Sequence, residues 1–253
     1  MRGILIVGLM IGSSGCLMSG NYHSAKTLNK GESQVGMTFS TTRYESTTVD
    51  PGTGQSSTGA IVIPNIIPEI SYHIGMADDV EVGGRVGLGS LSIEGDLKYR
   101  FYKSDKLHLA IAPAISYQSL IVIQGVGLRL PGILTYQLAG NLDFTAAVFG
   151  STTKYSTLGD DDSDSNFGTF GGSLVSTGVA LGLDLHGETF SIRPAVEFTQ
   201  YVARLDDSEG DANFNTLNFL VHIAWTGGKE KQQLDRIERK LDTLTPAPAP
   251  APM

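Results

Sequence analysis

The segment from Leu91 to Tyr102 has the sequence LSIEGDLKYRFY, in which apolar and polar side chains alternate. The apolar set is Leu91, Ile93, Leu97, Tyr99 and Phe101, and the positions between them hold Ser92, Glu94, Asp96, Lys98, Arg100 and Tyr102. Because successive side chains of a β-strand point to opposite faces, this period of two predicts a strand with one apolar and one charged face. The strand is roughly twice the common length. Its charged face must therefore meet either water or a polar interior.

The same period recurs from Gln34 onward, interrupted by turn residues at intervals of one strand, and no helical period occurs before residue 228. The chain has 31 glycines and only 17% charged residues, which fits a β-rich domain dense in turns. We predict a single all-β domain over residues 32–226. Its ten strands are Glu32–Tyr44, a second that ends near Gly75, Val80–Leu88, Leu91–Tyr102, Leu107–Gln118, 121–138, Leu142–Thr157, Gly171–Leu185, Phe190–Arg204 and Phe214–Trp225.

Two architectures fit such strands. A soluble barrel or sandwich of eight to ten strands would bury the apolar faces, whereas a transmembrane β-barrel turns them to lipid and lines its lumen with the polar faces. The polar faces here combine charge with many small residues, which suit a narrow lumen. Aromatic residues lie near strand ends on the apolar faces, as in membrane girdles: Tyr72, Tyr99, Phe101, Tyr117, Tyr136, Phe144, Phe190 and Trp225. We therefore predict a closed, antiparallel, up-and-down transmembrane β-barrel of about ten strands.

The connections between the strands alternate in length. Those after the second, fourth, sixth and eighth strands are tight, whereas those after the first, seventh and ninth are long and polar, and the short third-to-fourth connection is an exception. Bacterial outer-membrane barrels have short periplasmic turns and longer outer loops, so an even strand count places both chain ends in the periplasm. Proline removes a ladder donor, and we expect bulges or breaks at Pro68, Pro113, Pro131 and Pro194.

The segment from Glu32 to Trp225 resembles small, porin-like outer-membrane β-barrel proteins of Gram-negative bacteria, in its strand pattern and its aromatic last strand. The resemblance implies a place in outer-membrane lipid within the cell envelope and insertion by the barrel-assembly machinery. The tail after Trp225 departs from the commonest form, in which the aromatic residue ends the chain.

Residues 1–15 are predicted to be a signal peptide, because a basic residue, an apolar run and small residues follow one another. Ser13-Ser14-Gly15-Cys16 resembles the bacterial lipoprotein signal, although that family usually has Leu where Ser13 stands. The resemblance implies a covalent lipid on Cys16, the only cysteine, and the alternative is ordinary cleavage beside an incidental thiol. Leu17 stands where an inner-membrane lipoprotein would have Asp, which favours the outer membrane. Residues 16–31 are predicted to be a polar tether without a fold, and we predict no cofactor apart from the lipid.

The predicted lumen receives charged residues of both signs, which should pair because an unpaired buried ion is costly. A fully paired network would block conduction, whereas a partly paired one would leave a narrow selective pore. The residues of this ion-pair network are Glu69, Glu81, Arg85, Glu94, Asp96, Lys98, Arg100, Arg129, Asp143, Asp184, Arg193 and Glu197.

Two further groups are candidate metal sites. The lumenal histidines His73, His108, His186 and His222 lie near the predicted periplasmic end and would either gather at one rim as ligands or bond separately. In the outer loop, Asp160, Asp162 and Asp164 resemble the start of a calcium loop but lack its glycine and terminal glutamate. A solvated or lipopolysaccharide-bridging acidic loop is the alternative there.

No catalytic residue is predicted. The omptin proteases, which are ten-stranded outer-membrane barrels, place acidic residues and a histidine at the outer end, whereas the histidines here fall at the other end. The net charge of -8 argues against a nucleic-acid partner.

After the barrel, residues 227–245 are predicted to form a short amphipathic helix with Leu234, Ile237, Leu241 and Leu244 at heptad spacing. A helix this short is marginally stable alone. It would therefore self-associate as a short coiled coil, bind a membrane surface or another partner, or fray. The Pro/Ala-rich tail, 246–253, would extend toward the cell wall. These features predict a non-enzymatic barrel with a structural, adhesive or scaffolding role. The alternatives are a narrow channel or lumenal small-ligand binder, and then a membrane-embedded enzyme.

Overall fold

The computed structural model describes residues 23–49, 56–87, 91–120, 123–157, 171–205 and 211–228. The strands are β1 (Ser33–Val49), β2 (Ser56–Ala77), β3 (Val80–Gly87), β4 (Ser92–Lys103), β5 (Leu107–Ile111), β6 (Ala114–Leu120), β7 (Ile123–Ala139), β8 (Leu142–Thr157), β9 (Gly171–His186), β10 (Phe190–Leu205) and β11 (Asp211–Gly227). Within these ranges, no helix has the length and apolar character needed to cross a membrane.

The strands form one closed antiparallel barrel. Apart from β5 and β6, neighbours in sequence pair with each other, and β1 pairs with β11 to close the sheet. Both β5 and β6 lie between β4 and β7, so they act as two halves of one interrupted strand. The barrel thus has ten staves, and the prediction of a closed antiparallel β-barrel with about ten strands is confirmed.

The interruption between β5 and β6 corrects the predicted strand Leu107–Gln118. Pro113 has no N–H to donate, and Pro131 of β7 lies opposite this break. The backbone bridges the gap with two hydrogen bonds, from Ala112 N to Pro131 O at 3.1 Å and from Leu97 N to Pro113 O at 3.1 Å. Two prolines therefore share a single irregularity, which limits the number of ladder bonds that they remove.

The other two prolines also lie at irregularities. The register between β1 and β2 shifts between Thr38 and Ser40, opposite the stretch that contains Pro68. The ladder between β9 and β10 skips Arg193 and Pro194, and Pro194 points outward. Bulges and gaps of this kind accommodate residues that cannot donate to a regular ladder.

The charged faces of the strands line the lumen, and the apolar faces form the outer surface. From Ser92 to Arg100 in β4, buried polar or charged residues alternate with exposed residues. Leu97 is 45% exposed, whereas Arg85 of β3 is only 2% exposed. A soluble barrel would place the apolar set inside. The structure therefore has the two faces of a membrane barrel.

The two ends of the barrel differ. The tight turns at 78–79, 104–106, 140–141 and 187–189 lie at one end, where Ser33 also pairs with Gly227, and we call this the turn end. The strand ends Val49, Gly87, Leu120, Thr157 and Leu205 lie at the opposite end, the loop end. Outward-facing Tyr72 and Trp225 flank Val35 near the turn end, and the rings of Phe190 and Trp225 are 5.6 Å apart. Tyr117 lies toward the loop end instead.

Candidate functional site

The lumen contains the segment His23–Gly31, which we call the N-terminal segment. It enters at the turn end, where Gly31 N donates to Gly75 O at 2.8 Å. Further inside, Leu28 N donates to Glu81 Oε2 at 3.0 Å and Ala25 N donates to Thr135 Oγ1 at 2.8 Å. The segment has no helix or strand, but it packs against the barrel wall. Residues 23–31 of the predicted tether therefore lie against the barrel wall, where lumenal polar groups give the backbone hydrogen-bond partners that water would otherwise supply.

Close packing fixes the path of the N-terminal segment. A Cβ on Gly75 would collide with the carbonyl oxygen of Asn29 and would lie 2.7 Å from that of Leu28. On the opposite wall, Ala25 is fully buried among small side chains of the lumen. That apolar cluster comprises Ala25, Ala110, Ala112, Ile133, Ala147 and Ala180.

The N-terminal segment also supplies a cation to the lumen. Lys26 Nζ lies 2.6 Å from Asp143 Oδ2, and Asp143 is fully buried. His186 Nε2 approaches the same oxygen at 3.2 Å. Because the desolvation of a carboxylate is expensive unless a cation compensates it, Lys26 stabilises Asp143 and Asp143 holds the segment in place.

A cluster of four charged side chains crosses the middle of the lumen. Arg85 Nε donates to Glu94 Oε1 at 3.0 Å, and Arg85 Nη1 lies 3.5 Å from Glu69 Oε2. Arg129 Nη2 reaches the same oxygen of Glu94 at 2.6 Å from the far side of the β5–β6 stave. The cluster therefore links β2, β3, β4 and β7, which are not all neighbours in the sheet.

Other pairs surround this cluster. Lys98 Nζ lies 2.9 Å from Glu81 Oε1, and Arg193 Nε donates to Asp184 Oδ2 at 2.7 Å. His73 Nε2 lies 3.2 Å from Asp96 Oδ2.

Two predicted members bond residues outside the predicted network. Arg100 bonds Asp79 in the tight β2–β3 turn, with Nη2 2.7 Å from Oδ1, and Glu197 accepts hydrogen bonds from Thr199 and Asn218 at 3.1 Å each. All the residues predicted for the ion-pair network thus lie on the lumenal face, and the structure adds Lys26 and Asp79 as partners that strand parity could not show.

An aromatic cluster fills the lumen toward the loop end. The rings of Tyr201 and Phe214 stack with centroids 4.7 Å apart and planes 8° apart, beside Leu174 and Ala203. Tyr155 packs on the cluster, and its hydroxyl donates to Gln118 Oε1 at 3.1 Å. This cluster was not predicted from the sequence, although its aromatic residues lie on the polar parity of their strands, which is a usable signal.

The four predicted histidines do not form one group in the part of the chain that the structure describes. His222 Nδ1 lies 2.9 Å from Thr38 Oγ1, His186 lies beside Asp143, and His108 is buried on β5. Within the same ranges, the group of three or more residues that could hold a metal ion is His23, His73 and Glu81.

His23 belongs to the N-terminal segment, so its neighbours come from the barrel wall. Its ring meets that of His73 edge to face with centroids 4.8 Å apart. Burial, followed by the positive potential of His73 and Lys98, holds the pKa of the His23 imidazole well below its usual value. A neutral imidazole is the form that binds metals.

Several predicted residues lie outside the described residues: the signal peptide, Cys16, the acidic loop with Asp160, Asp162 and Asp164, and the predicted helix with Leu234, Ile237, Leu241 and Leu244. The predictions for them stand as predictions.

No family model matches the chain, and no curated protein matches its sequence. Three similar solved structures are neisserial surface protein A (8% identity, 78% of this chain and 99% of that chain, TM-score 0.37), the attachment invasion locus protein of Yersinia pestis (14%, 78% and 99%, 0.34) and the outer membrane protease OmpT of Escherichia coli (10%, 80% and 99%, 0.41). Similarity this low carries no argument about activity. The assignment as a barrel rests on the strand pairing itself.

Proposed function

We propose that the chain is a non-conducting, non-enzymatic outer-membrane β-barrel with a structural, adhesive or scaffolding role in the cell envelope. The observation that carries the proposal is the filled lumen. The N-terminal segment occupies the turn end, the ion pairs cross the middle, and the aromatic cluster fills the space toward the loop end. A ten-stranded barrel encloses little free width, so this filling leaves little room for solutes.

The outer surface supports insertion in a membrane. Exposed apolar side chains on β4 run from Ile93 to Phe101, which is roughly 20 Å along the barrel axis at a tilt of about 40°. That height is close to the apolar band of about 25 Å in outer-membrane barrels. The aromatic residues near the turn end match the position of an interfacial girdle.

The N-terminal segment also fits a lipid anchor at Cys16. His23 follows Cys16 by seven residues, and such a stretch spans at most about 25 Å. A lipid on Cys16 would thus remain within reach of the leaflet next to the turn end. With the turn end in the periplasm, one short stretch would serve both as the lipid attachment and as the lumenal plug.

With the turn end in the periplasm, residues 227–253 would lie there as well. A helix over 227–245 that self-associates, followed by a Pro/Ala-rich tail that reaches the cell wall, would give the barrel its scaffolding contacts. Insertion by the barrel-assembly machinery belongs to this proposal.

Single-channel recording in planar bilayers tests the proposal. The full mature chain, shown to be folded by its heat-modifiable mobility in detergent gels, should give no stepwise current. The aqueous pore of an unrelated porin, recorded in the same membranes, serves as the positive control. Reproducible conductance steps from the full chain would contradict a filled lumen.

A gated narrow channel is the alternative, and the N-terminal segment favours it in one respect. The segment adds no strand to the sheet, and hydrogen bonds together with the Lys26–Asp143 ion pair hold it. If it leaves the lumen, the turn end opens. A chain that lacks residues 23–31 would then conduct while the full chain stays silent.

A further inference from the structure

Three potential metal ligands meet where the N-terminal segment touches the wall. His23 comes from the segment, His73 from β2 and Glu81 from β3, and their ligand atoms lie within 4.8 Å of one another. Each of these residues is buried. In a tetrahedral zinc site with bonds of about 2.0–2.1 Å, ligand atoms are roughly 3.4 Å apart. Side-chain rotations that move each atom by about 1 Å would close the set.

The donor set is chemically specific. Two imidazole nitrogens and one carboxylate oxygen are typical of zinc sites that keep a fourth position for water. Oxygen-preferring ions such as Ca²⁺ and Mg²⁺ would lack the six or more oxygen ligands that they need. The set therefore selects a borderline transition-metal ion.

The surroundings hold His73 in position. Its ring lies directly over Gly83, where a Cβ would overlap Cδ2 of the imidazole, and the ring Nε2 lies 3.2 Å from Asp96 Oδ2. A carboxylate that bonds one nitrogen of a histidine orients the ring so that the other nitrogen can bind a metal. Asp96 would play that part here if the metal binds through Nδ1.

We infer that His23, His73 and Glu81 form a Zn²⁺ site that fastens the N-terminal segment to the barrel wall. Two of the ligands belong to neighbouring strands and the third belongs to the segment, so one ion would cross-link the segment to the barrel wall. The inference goes beyond the filled lumen, because a lumen without metal would still be filled.

Lys98 is the main competitor for the site. Its Nζ lies 2.9 Å from Glu81 Oε1, so the ammonium now supplies the positive charge that an ion would bring. Glu81 has a second oxygen, which accepts from Leu28 N at 3.0 Å. Bound Zn²⁺ would displace Lys98 from Glu81, and Lys98→Met is expected to raise the affinity for Zn²⁺ by about tenfold or more.

The test is Zn²⁺ binding to the full mature chain, folded in detergent and free of any histidine tag. Isothermal titration with Zn²⁺ alone should give one site per chain. Each of His23→Ala, His73→Ala and Glu81→Gln should weaken binding at least tenfold, since loss even of an outer partner costs about 10- to 100-fold. His222→Ala is the matched control, because this lumenal histidine bonds Thr38 outside the group, and it should bind Zn²⁺ as the wild type does.

His23 lies outside the sheet, so His23→Ala tests the site without disturbing strand pairing. Heat-modifiable mobility in detergent gels verifies that each variant is folded. Co²⁺ offers a second readout, because the visible absorption of a tetrahedral complex should be lost in His23→Ala. A wild type that binds no Zn²⁺, or His23→Ala and His73→Ala variants that bind it as tightly as the wild type, would overturn the inference. Even if either result overturns the Zn²⁺ site, a bilayer recording without current would still support the filled lumen. The metal site and the non-conducting barrel can therefore be refuted independently.

Discussion

The variant Leu97→Arg tests whether the apolar face of the sheet contacts lipid. Leu97 lies on the outer face of β4, is 45% exposed, and stands midway between Ile93 and Phe101 at the two ends of the apolar band. An arginine there would sit near the bilayer midplane, where it costs about 2–4 kcal/mol. The equilibrium between folded and unfolded barrel should therefore shift by about 30- to 700-fold toward the unfolded state.

The matched control is Tyr102→Arg. Tyr102 is 47% exposed on the same strand but lies next to the turn that ends it, close to the membrane interface. An arginine near the interface costs only about 0–1 kcal/mol. The two variants add the same charge to the same strand and differ in depth.

The assay is chemical unfolding of the barrel in liposomes, followed through the fluorescence of Trp225. The chain has one tryptophan, and it lies on the outer face, so the emission reports transfer from lipid to water without an added probe. Equal unfolding midpoints for Leu97→Arg, Tyr102→Arg and the wild type would refute the reasoning. On a face that does not contact lipid, the free-energy cost of an arginine would not depend on its depth.

Further predictions concern the N-terminal segment and its attachment. Gly75→Ala should expel the segment, because the new Cβ collides with the segment's backbone, and limited trypsin cleavage within the segment should become faster. Gly150→Ala is the control, because its Cβ would lie 3.9 Å from the nearest atom, and it should leave the cleavage rate unchanged. Lys26→Met should destabilise the barrel by less than the roughly 3–5 kcal/mol of a fully buried pair, since Lys26 is 28% exposed. Adding Asp143→Asn should recover most of that loss in chemical unfolding, and a fully additive double variant would mean that the pair is not coupled. Cys16→Ser should abolish incorporation of a radioactive acyl label, and label that persists would disprove lipidation at this residue.

Strand parity accounts for most of what the sequence could predict. In β4 the period of two assigns Leu97 to the lipid face and Lys98 to the lumen. The assignment is unambiguous because a shift of one residue would exchange the two faces. Parity alone cannot pair residues across the lumen. The contact between Arg129 and Glu94 depends on the registers of β4 and β7 with β6 between them, and the paired break at Pro113 and Pro131 depends on the register between two strands.

The N-terminal segment could not be located from sequence for a different reason. It has no periodicity, and its partners Thr135 and Asp143 are more than a hundred residues away in the chain. The His23 contribution to the candidate metal site was hidden in the same way. A polar stretch without a repeat gives the same local signal whether it lies in water or in a polar cavity, so only the folded wall distinguishes the two.

The position of the N-terminal segment constrains the order of assembly. The segment runs directly into β1, and β1 pairs with β11 to form the seam that completes the cylinder. Once that seam has formed, the nine-residue stretch His23–Gly31 could enter only by threading through the turn end. We expect it to dock while the seam is still open, so that the closing sheet wraps around it. Removal of the segment should then change the rate at which the heat-modifiable form appears during refolding, and an unchanged rate would indicate late entry.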